Sequence, residues 1–139
     1  VLRAKLPHLD NYNKARIEAA NKYSKAFEGI ENIKTPGGFD IEKNISERSH
    51  VFHQYTLKIV NSDRDALVNH LNEKGIPCGV YYPIPLHLQK AYRDNRYKEE
   101  DFTVTNQLIK QVISLPMHTE LDDEQIKYIT ETIINFVNK

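Results

Sequence analysis

Between His50 and Val60 the sequence HVFHQYTLKIV alternates, so that Val51, His53, Tyr55, Leu57 and Ile59 share one face and Gln54, Thr56 and Lys58 share the other. A period of two residues sends successive side chains to opposite sides of a strand, and a strand with one apolar face has to lay that face against other elements. The rest of the chain offers helices for this purpose. Ile126, Ile129, Ile133 and Phe136 form one stripe behind Asp122 and Gln125, a pair spaced as in a helix-starting capping box. Leu2, Leu6, Leu9, Asn13, Ile17, Ala20, Ser24 and Phe27 step by three or four along a longer helix ending at Gly29. Pro7 removes an amide donor and crowds the preceding turn, so that helix bends near Lys5 or a first short helix stops there.

The segments between follow the same logic. Thr35-Pro36-Gly37-Gly38 is a turn, and Ser62 before Asp63-Arg64-Asp65 opens a short helix with Leu67, Val68 and Leu71 as its stripe and Gly75 as its end. Pro77 to Tyr82, partly β-branched and aromatic, reads as a second strand, giving a β-α-β succession. His87 to Tyr92 forms a helical turn, and Asp94 to Asp101 a charged loop. Leu108, Val112 and Leu115 continue an apolar face that opens around Thr105 and is closed by Pro116. The order α, β, α, β, α, β-like, α predicts a two-layer α/β unit without repeats or linkers.

The 139 residues suit one domain, and 19 basic against 19 acidic side chains leave no net field to draw nucleic acid or an anionic membrane surface. We expect neither partner. No apolar run reaches the length that crosses a bilayer, no signal peptide is legible, and the single Cys78 fits a reducing compartment, so cytoplasm is the expectation. No Cys/His set has the spacing of a zinc site, so no metal is expected. The chain opens directly in helical rhythm at Val1-Leu2-Arg3, with no initiator Met and no cap residue, as a piece of something longer would.

Candidate chemistry concentrates in one stretch. Ser114 and Cys78 lie in apolar runs with no nucleophile motif around them. Glu99 with Glu100, and Asp122 with Asp123, belong to a charged loop and a helix N-terminus, where solvated carboxylates are ordinary. Gly37-Gly38 is a turn and not a phosphate cradle. His8 and His70 lie among polar helical neighbours as surface groups, and His53 points with Tyr55 and Leu57 as a hydrogen-bonded core residue. The sequence Gly79-Val80-Tyr81-Tyr82-Pro83-Ile84-Pro85-Leu86-His87 is different, because two prolines fix the backbone ahead of a histidine and leave little chain entropy to lose when a ligand binds. If the strand persists, Tyr81 and Tyr82 face opposite sides, one packing inward while the other offers a hydroxyl and an aromatic face outward. The same residues also read as an edge-strand exit with His87 capping a turn, and the residues alone leave both readings open.

The order and spacing of VLRAKLPHLD, HVFHQY, GIP, GVYYPIPLH, SLPMH and LDDEQI resemble the DegT/DnrJ/EryC1/StrS aminotransferases across essentially the whole chain. The resemblance implies the small C-terminal domain of an aspartate-aminotransferase-fold enzyme, with a small, mainly antiparallel sheet packed against helices. Residues 1–30 would be a linking helix from a large domain upstream, and residues 31–139 the small domain that closes over the active site. It implies pyridoxal phosphate held as a Schiff base by a lysine of that upstream domain, so that this chain carries no catalytic residue, binds no cofactor by itself and is inactive alone. The implied reaction moves an amino group from glutamate to a keto sugar of a UDP- or dTDP-linked nucleotide-sugar, for polysaccharide or glycoside biosynthesis, in a homodimer. Tyr81, Tyr82 and His87 are the implied substrate contacts. The position of Tyr81 is commonly histidine in the family, so any role needing an ionisable imidazole does not transfer to it. A non-catalytic regulator on the same fold and a free-standing ligand-binding module are the rival readings; the stripe Leu2, Leu6, Leu9 argues against the module.

Overall fold

In the computed structural model, which describes residues 2–37 and 50–138, Pro7 divides the first helix as expected. α1 (Leu2–Lys5) passes through a 3-10 turn at Leu6–His8 into α2 (Leu9–Ala26), and Gly29, at φ +78°, lets the chain turn away. The apolar stripe serves two ends. Ile17, Ala20, Tyr23 and Phe27 enter the core, whereas Leu2, Leu6 and Leu9 are 85%, 69% and 47% exposed.

A short strand that the sequence reading overlooked, β1 (Ile33–Lys34), pairs antiparallel with β2 (Tyr55–Ile59), Ile33 opposite Ile59. β2 pairs antiparallel with β3 (Val112–Leu115), Tyr55 opposite Leu115 and Leu57 opposite Ile113, so that β2 is the centre of a three-stranded sheet among the described residues. Tyr55, Leu57 and Ile59 are buried on one face, while Lys58 is exposed on the other. α3 (Arg64–Glu73) and α5 (Asp123–Val137) complete the helical layer, α5 packing against both α2 and α3. Leu67, Leu71, Ile126, Ile129 and Ile133 meet the strands in one core. The expected two-layer α/β arrangement with a small antiparallel sheet and a long N-terminal helix is what is found.

Four local expectations are corrected. The strand starts only at Tyr55: Val51 and His53 are exposed and Phe52 is buried instead, with a φ of +48° that breaks the alternation. The Arg16 guanidinium donates to the carbonyls of Phe52 and His53 at 3.4 and 3.2 Å and to that of Met117 at 3.3 Å, so these loop carbonyls answer to a side chain. Pro77 to Tyr82 is no strand but one bridge, Gly79 exchanging both backbone bonds with Ser114 at 3.0 and 2.7 Å. Pro77 and Pro83 have no N–H to extend a ladder, and β3 stands between this segment and β2, so no adjacent parallel pair forms. The cap of α3 is Asp63 and not Ser62, its carboxylate accepting from the amides of Asp65 and Ala66 at 2.9 Å. The face around Thr105 divides into α4 (Thr103–Leu108) and β3. Val1 and Gly38 lie outside the described residues.

The final helix follows its sequence closely. Asp122 Oδ1 accepts from the Gln125 amide at 2.7 Å, and Gln125 Oε1 accepts from the Asp122 amide at 3.2 Å, the reciprocal bonds of a capping box. At the other end, Asn32 Nδ2 donates to the Val137 carbonyl at 2.9 Å, tying the helix to the loop before β1.

Candidate functional site

Beyond the Gly79 bridge, the chain turns around Tyr81, Tyr82 and Pro83 and descends to Pro85, which is buried and extended (φ −68°, ψ 154°). That conformation is the one proline prefers, and it launches a 3-10 turn at Leu86–Leu88 closed by Leu88 N–H donating to the Pro85 carbonyl at 3.0 Å. A second 3-10 turn, Lys90–Tyr92, follows, so the expected helical turn is present in two pieces. Gln89 Nε2 donates back to the Ile84 carbonyl at 3.1 Å, closing the loop on itself.

The three candidate residues come together. Tyr81, Tyr82 and His87 line one cavity of about 470 Å³, together with Thr105, Leu108 and Val112. The tyrosines do not divide between inside and outside: Tyr81 is 54% and Tyr82 76% exposed, their ring centroids 6.3 Å apart and nearly edge to face. The Tyr81 ring folds back over Gly79, where a Cβ would stand only 2.6 Å from its far end. Its partner on the bridge, Ser114, is buried.

His87 is the most constrained of the three. Its ring stacks on Phe102 at 4.3 Å and 18°, and its Nε2 lies 3.0 Å from Asn106 Oδ1. Asn106 Nδ2 donates to the Glu99 carbonyl at 2.8 Å, and Tyr97 meets Phe102 edge-on at 5.3 Å. Glu99 and Phe102 belong to one 3-10 turn, Glu99–Phe102, which overlaps the end of the Asp94 to Asp101 segment read as a charged loop and runs one residue past it. Phe102 and Asn106 were not singled out from the sequence. Both sit among polar residues with no periodicity to mark them.

Among the described residues, none that lines this cavity is Lys, Arg, Asp or Glu. Aromatic faces, phenol and threonine hydroxyls, an imidazole and a glutamine amide suit a neutral, hydroxyl-rich ring, which needs apolar area and a few placed polar groups. Pyridoxal phosphate does not fit the described lining, which has no amine to form its Schiff base and no cation to pair with its phosphate. Among the described residues no cluster of metal-ligating side chains occurs.

The other candidates have structural occupations. Ser114 Oγ shares a hydrogen bond with Thr56 Oγ1 at 2.8 Å across the sheet, and Cys78 is half-buried, its thiol pushed up by burial and hence a weak nucleophile at neutral pH. His53 is exposed, which corrects its expected place in the core, and His8 is exposed as anticipated. His70 is half-buried, its ring 5.3 Å from Phe136.

Comparison with known proteins finds relatives that match nearly the whole chain. The model of the DegT/DnrJ/EryC1/StrS aminotransferase family matches residues 1–134. The chain is 38% identical over 138 residues to a pleiotropic regulatory protein of Geobacillus stearothermophilus, covering 98% of this chain and 35% of that protein. It is 36% identical over 135 residues to the UDP-N-acetyl-3-dehydro-alpha-D-glucosamine 3-aminotransferase of Acidithiobacillus ferrooxidans, covering 96% of this chain and 33% of that one. The crystal structure of S. venezuelae DesV in complex with a ketimine intermediate superposes on all of this chain and on 35% of its own, with a TM-score of 0.86 and 28% identity. The chain thus spans about a third of the length of the relatives it matches.

Proposed function

Because the chain belongs to the DegT/DnrJ/EryC1/StrS aminotransferase family, we propose that it is the small-domain part of a pyridoxal-phosphate-dependent enzyme that aminates a keto sugar carried on a UDP or dTDP nucleotide. The observation that carries this reading is the uncharged cavity on which Tyr81, Tyr82 and His87 converge. A sugar ring finds there an aromatic surface, phenol hydroxyls and a held imidazole. The relative that aminates a UDP-linked sugar supports the substrate class.

On this reading, residues 1–30 are the linking helix and residues 31–139 the small domain. The exposed Leu2, Leu6 and Leu9 then rest against a large domain. The cofactor is held by a lysine of that domain, and when bound it supplies the electron sink for amino transfer. The part played by this chain is to bind and orient the sugar and to shield the reacting carbon from water. Alone it is inactive. Glutamate is the amino donor, the intact enzyme is a cytoplasmic homodimer, and its product enters polysaccharide or glycoside synthesis.

Steady-state kinetics of the intact enzyme test the reading. Tyr82→Ala and His87→Ala are expected to weaken nucleotide-sugar turnover while leaving cofactor binding, read from its visible absorbance, unchanged. Equal loss of both would indicate misfolding, and an intact protein that takes up no pyridoxal phosphate on reconstitution would overturn the enzyme reading. A second reading, a regulator on the same fold, is favoured by the name of the Geobacillus relative. Presence or absence of the cofactor lysine in the intact protein separates the two.

A further inference from the structure

We infer that Asn106 is a positioning residue that sets the tautomer of His87, so that the cavity meets its ligand at this point with a hydrogen-bond acceptor and selects a hydroxyl over a phosphate oxygen. The Glu99 carbonyl can only accept, so the Asn106 amide turns its nitrogen toward it and its oxygen toward His87. That oxygen can only accept in turn, so the proton of the neutral imidazole sits on Nε2 and the lone pair on Nδ1. The Phe102 stack holds the plane of the ring but is indifferent to a half-turn about the Cβ–Cγ bond, which exchanges the ring's two edges. Among the described residues, Asn106 is the hydrogen-bond partner that tells the two edges apart.

Nδ1 is left available. It has no hydrogen-bond partner among the described residues, and no side-chain nitrogen or oxygen in them is both buried and unpartnered, so solvent or a ligand reaches it. Because His87 lines the cavity with Tyr81 and Tyr82 and no cation is in the described lining, a neutral ring here offers a lone pair and repels the lone pairs of a phosphate. The sequence gives no sign of this, since Asn106 lies 19 residues from His87.

The inference rests on the sugar-binding reading for the identity of the ligand, but not for the tautomer. In the intact enzyme labelled with ¹⁵N-histidine, at a pH where the ring is neutral, the His87 signals, assigned through His87→Gln, should report the proton on Nε2. Asn106→Leu should weaken that preference toward the mixture of a free imidazole, in which the Nδ1-protonated form becomes visible; unchanged signals of the other histidines report an intact fold. A proton on Nδ1 in the wild type, or a tautomer unmoved in Asn106→Leu, overturns the inference. With UDP-glucose as probe the Nδ1 signal should shift and with inorganic phosphate it should not; a response to phosphate alone, or to neither, overturns the ligand class. The KM for nucleotide-sugar should rise about three- to tenfold in Asn106→Leu, the weight of one neutral hydrogen bond. An enzyme without aminotransferase activity would sink the sugar reading and leave the tautomer measurement decisive.

Discussion

The hydroxyls of Ser24 and Tyr55 lie 2.8 Å apart, joining the long helix to the central strand inside the core. Beside them the Tyr23 ring packs 5.1 Å from that of Tyr55, and its hydroxyl donates to the Pro116 carbonyl at 3.0 Å. Both phenols are therefore buried and both are hydrogen-bonded.

Burial pushes the Tyr55 phenol up from 10.0 to about 12, the Ser24 bond offsetting only part of it, and burial together with the neighbouring Tyr55 raises Tyr23 further. Above pH 10 the unfolded chain loses these protons while the folded one keeps them, so unfolding becomes easier as pH rises. The contribution of these two phenols should be level below pH 10 and fall between about 10 and 12. Urea midpoints across that window check this, and Tyr55→Phe should flatten part of the fall.

Leu67 and Ile133 are fully buried where α3 and α5 meet. Leu67→Ala should cost about 2–5 kcal/mol, since the surrounding side chains only partly close the cavity left behind. Urea denaturation measures it. A cost below about 1 kcal/mol would mean that this interface is not packed as described.

Asp122→Ala removes the side chain that satisfies the Gln125 amide at the start of α5. The expected loss is about 1 kcal/mol. Asp122→Asn should recover most of it, because an amide oxygen can accept the same bond. Thermal melts of the three proteins give the comparison.

Gly79→Ala would place a methyl group 2.6 Å from the far end of the Tyr81 ring. The ring is exposed and can swing aside, so the melting temperature should change little while the wall of the cavity is rebuilt. On the proposed sugar-binding reading, the intact enzyme should show a raised KM for nucleotide-sugar with a stability near that of the wild type. A large loss of stability with unchanged KM would contradict the placement of Tyr81.

Much of this architecture was legible from short-range signals. The spacing of Ile126, Ile129 and Ile133, the Asp122–Gln125 pair and the break at Pro7 each depend on neighbours a few residues away, and each element formed as its pattern required. The alternation of Tyr55, Leu57 and Ile59 likewise named the buried face of β2. The candidate site was half legible: prolines and aromatics marked Tyr81, Tyr82 and His87, because rigid backbone and large rings are local properties. Apart from the one-residue shift of the α3 cap to Asp63, local rules misled where a distant group intervened. Arg16 took the carbonyls of Phe52 and His53 out of the expected strand, and Ser114 reached only Gly79 of the segment read as another strand. The sequence by itself determined which segments become helix or strand and which face each buries, since both follow from periodicity and capping within a few residues. Which edge of His87 faces Asn106, which strand lies between β2 and Gly79, and that three separate residues share one cavity were decided only by tertiary packing, because those contacts join groups that no local period relates.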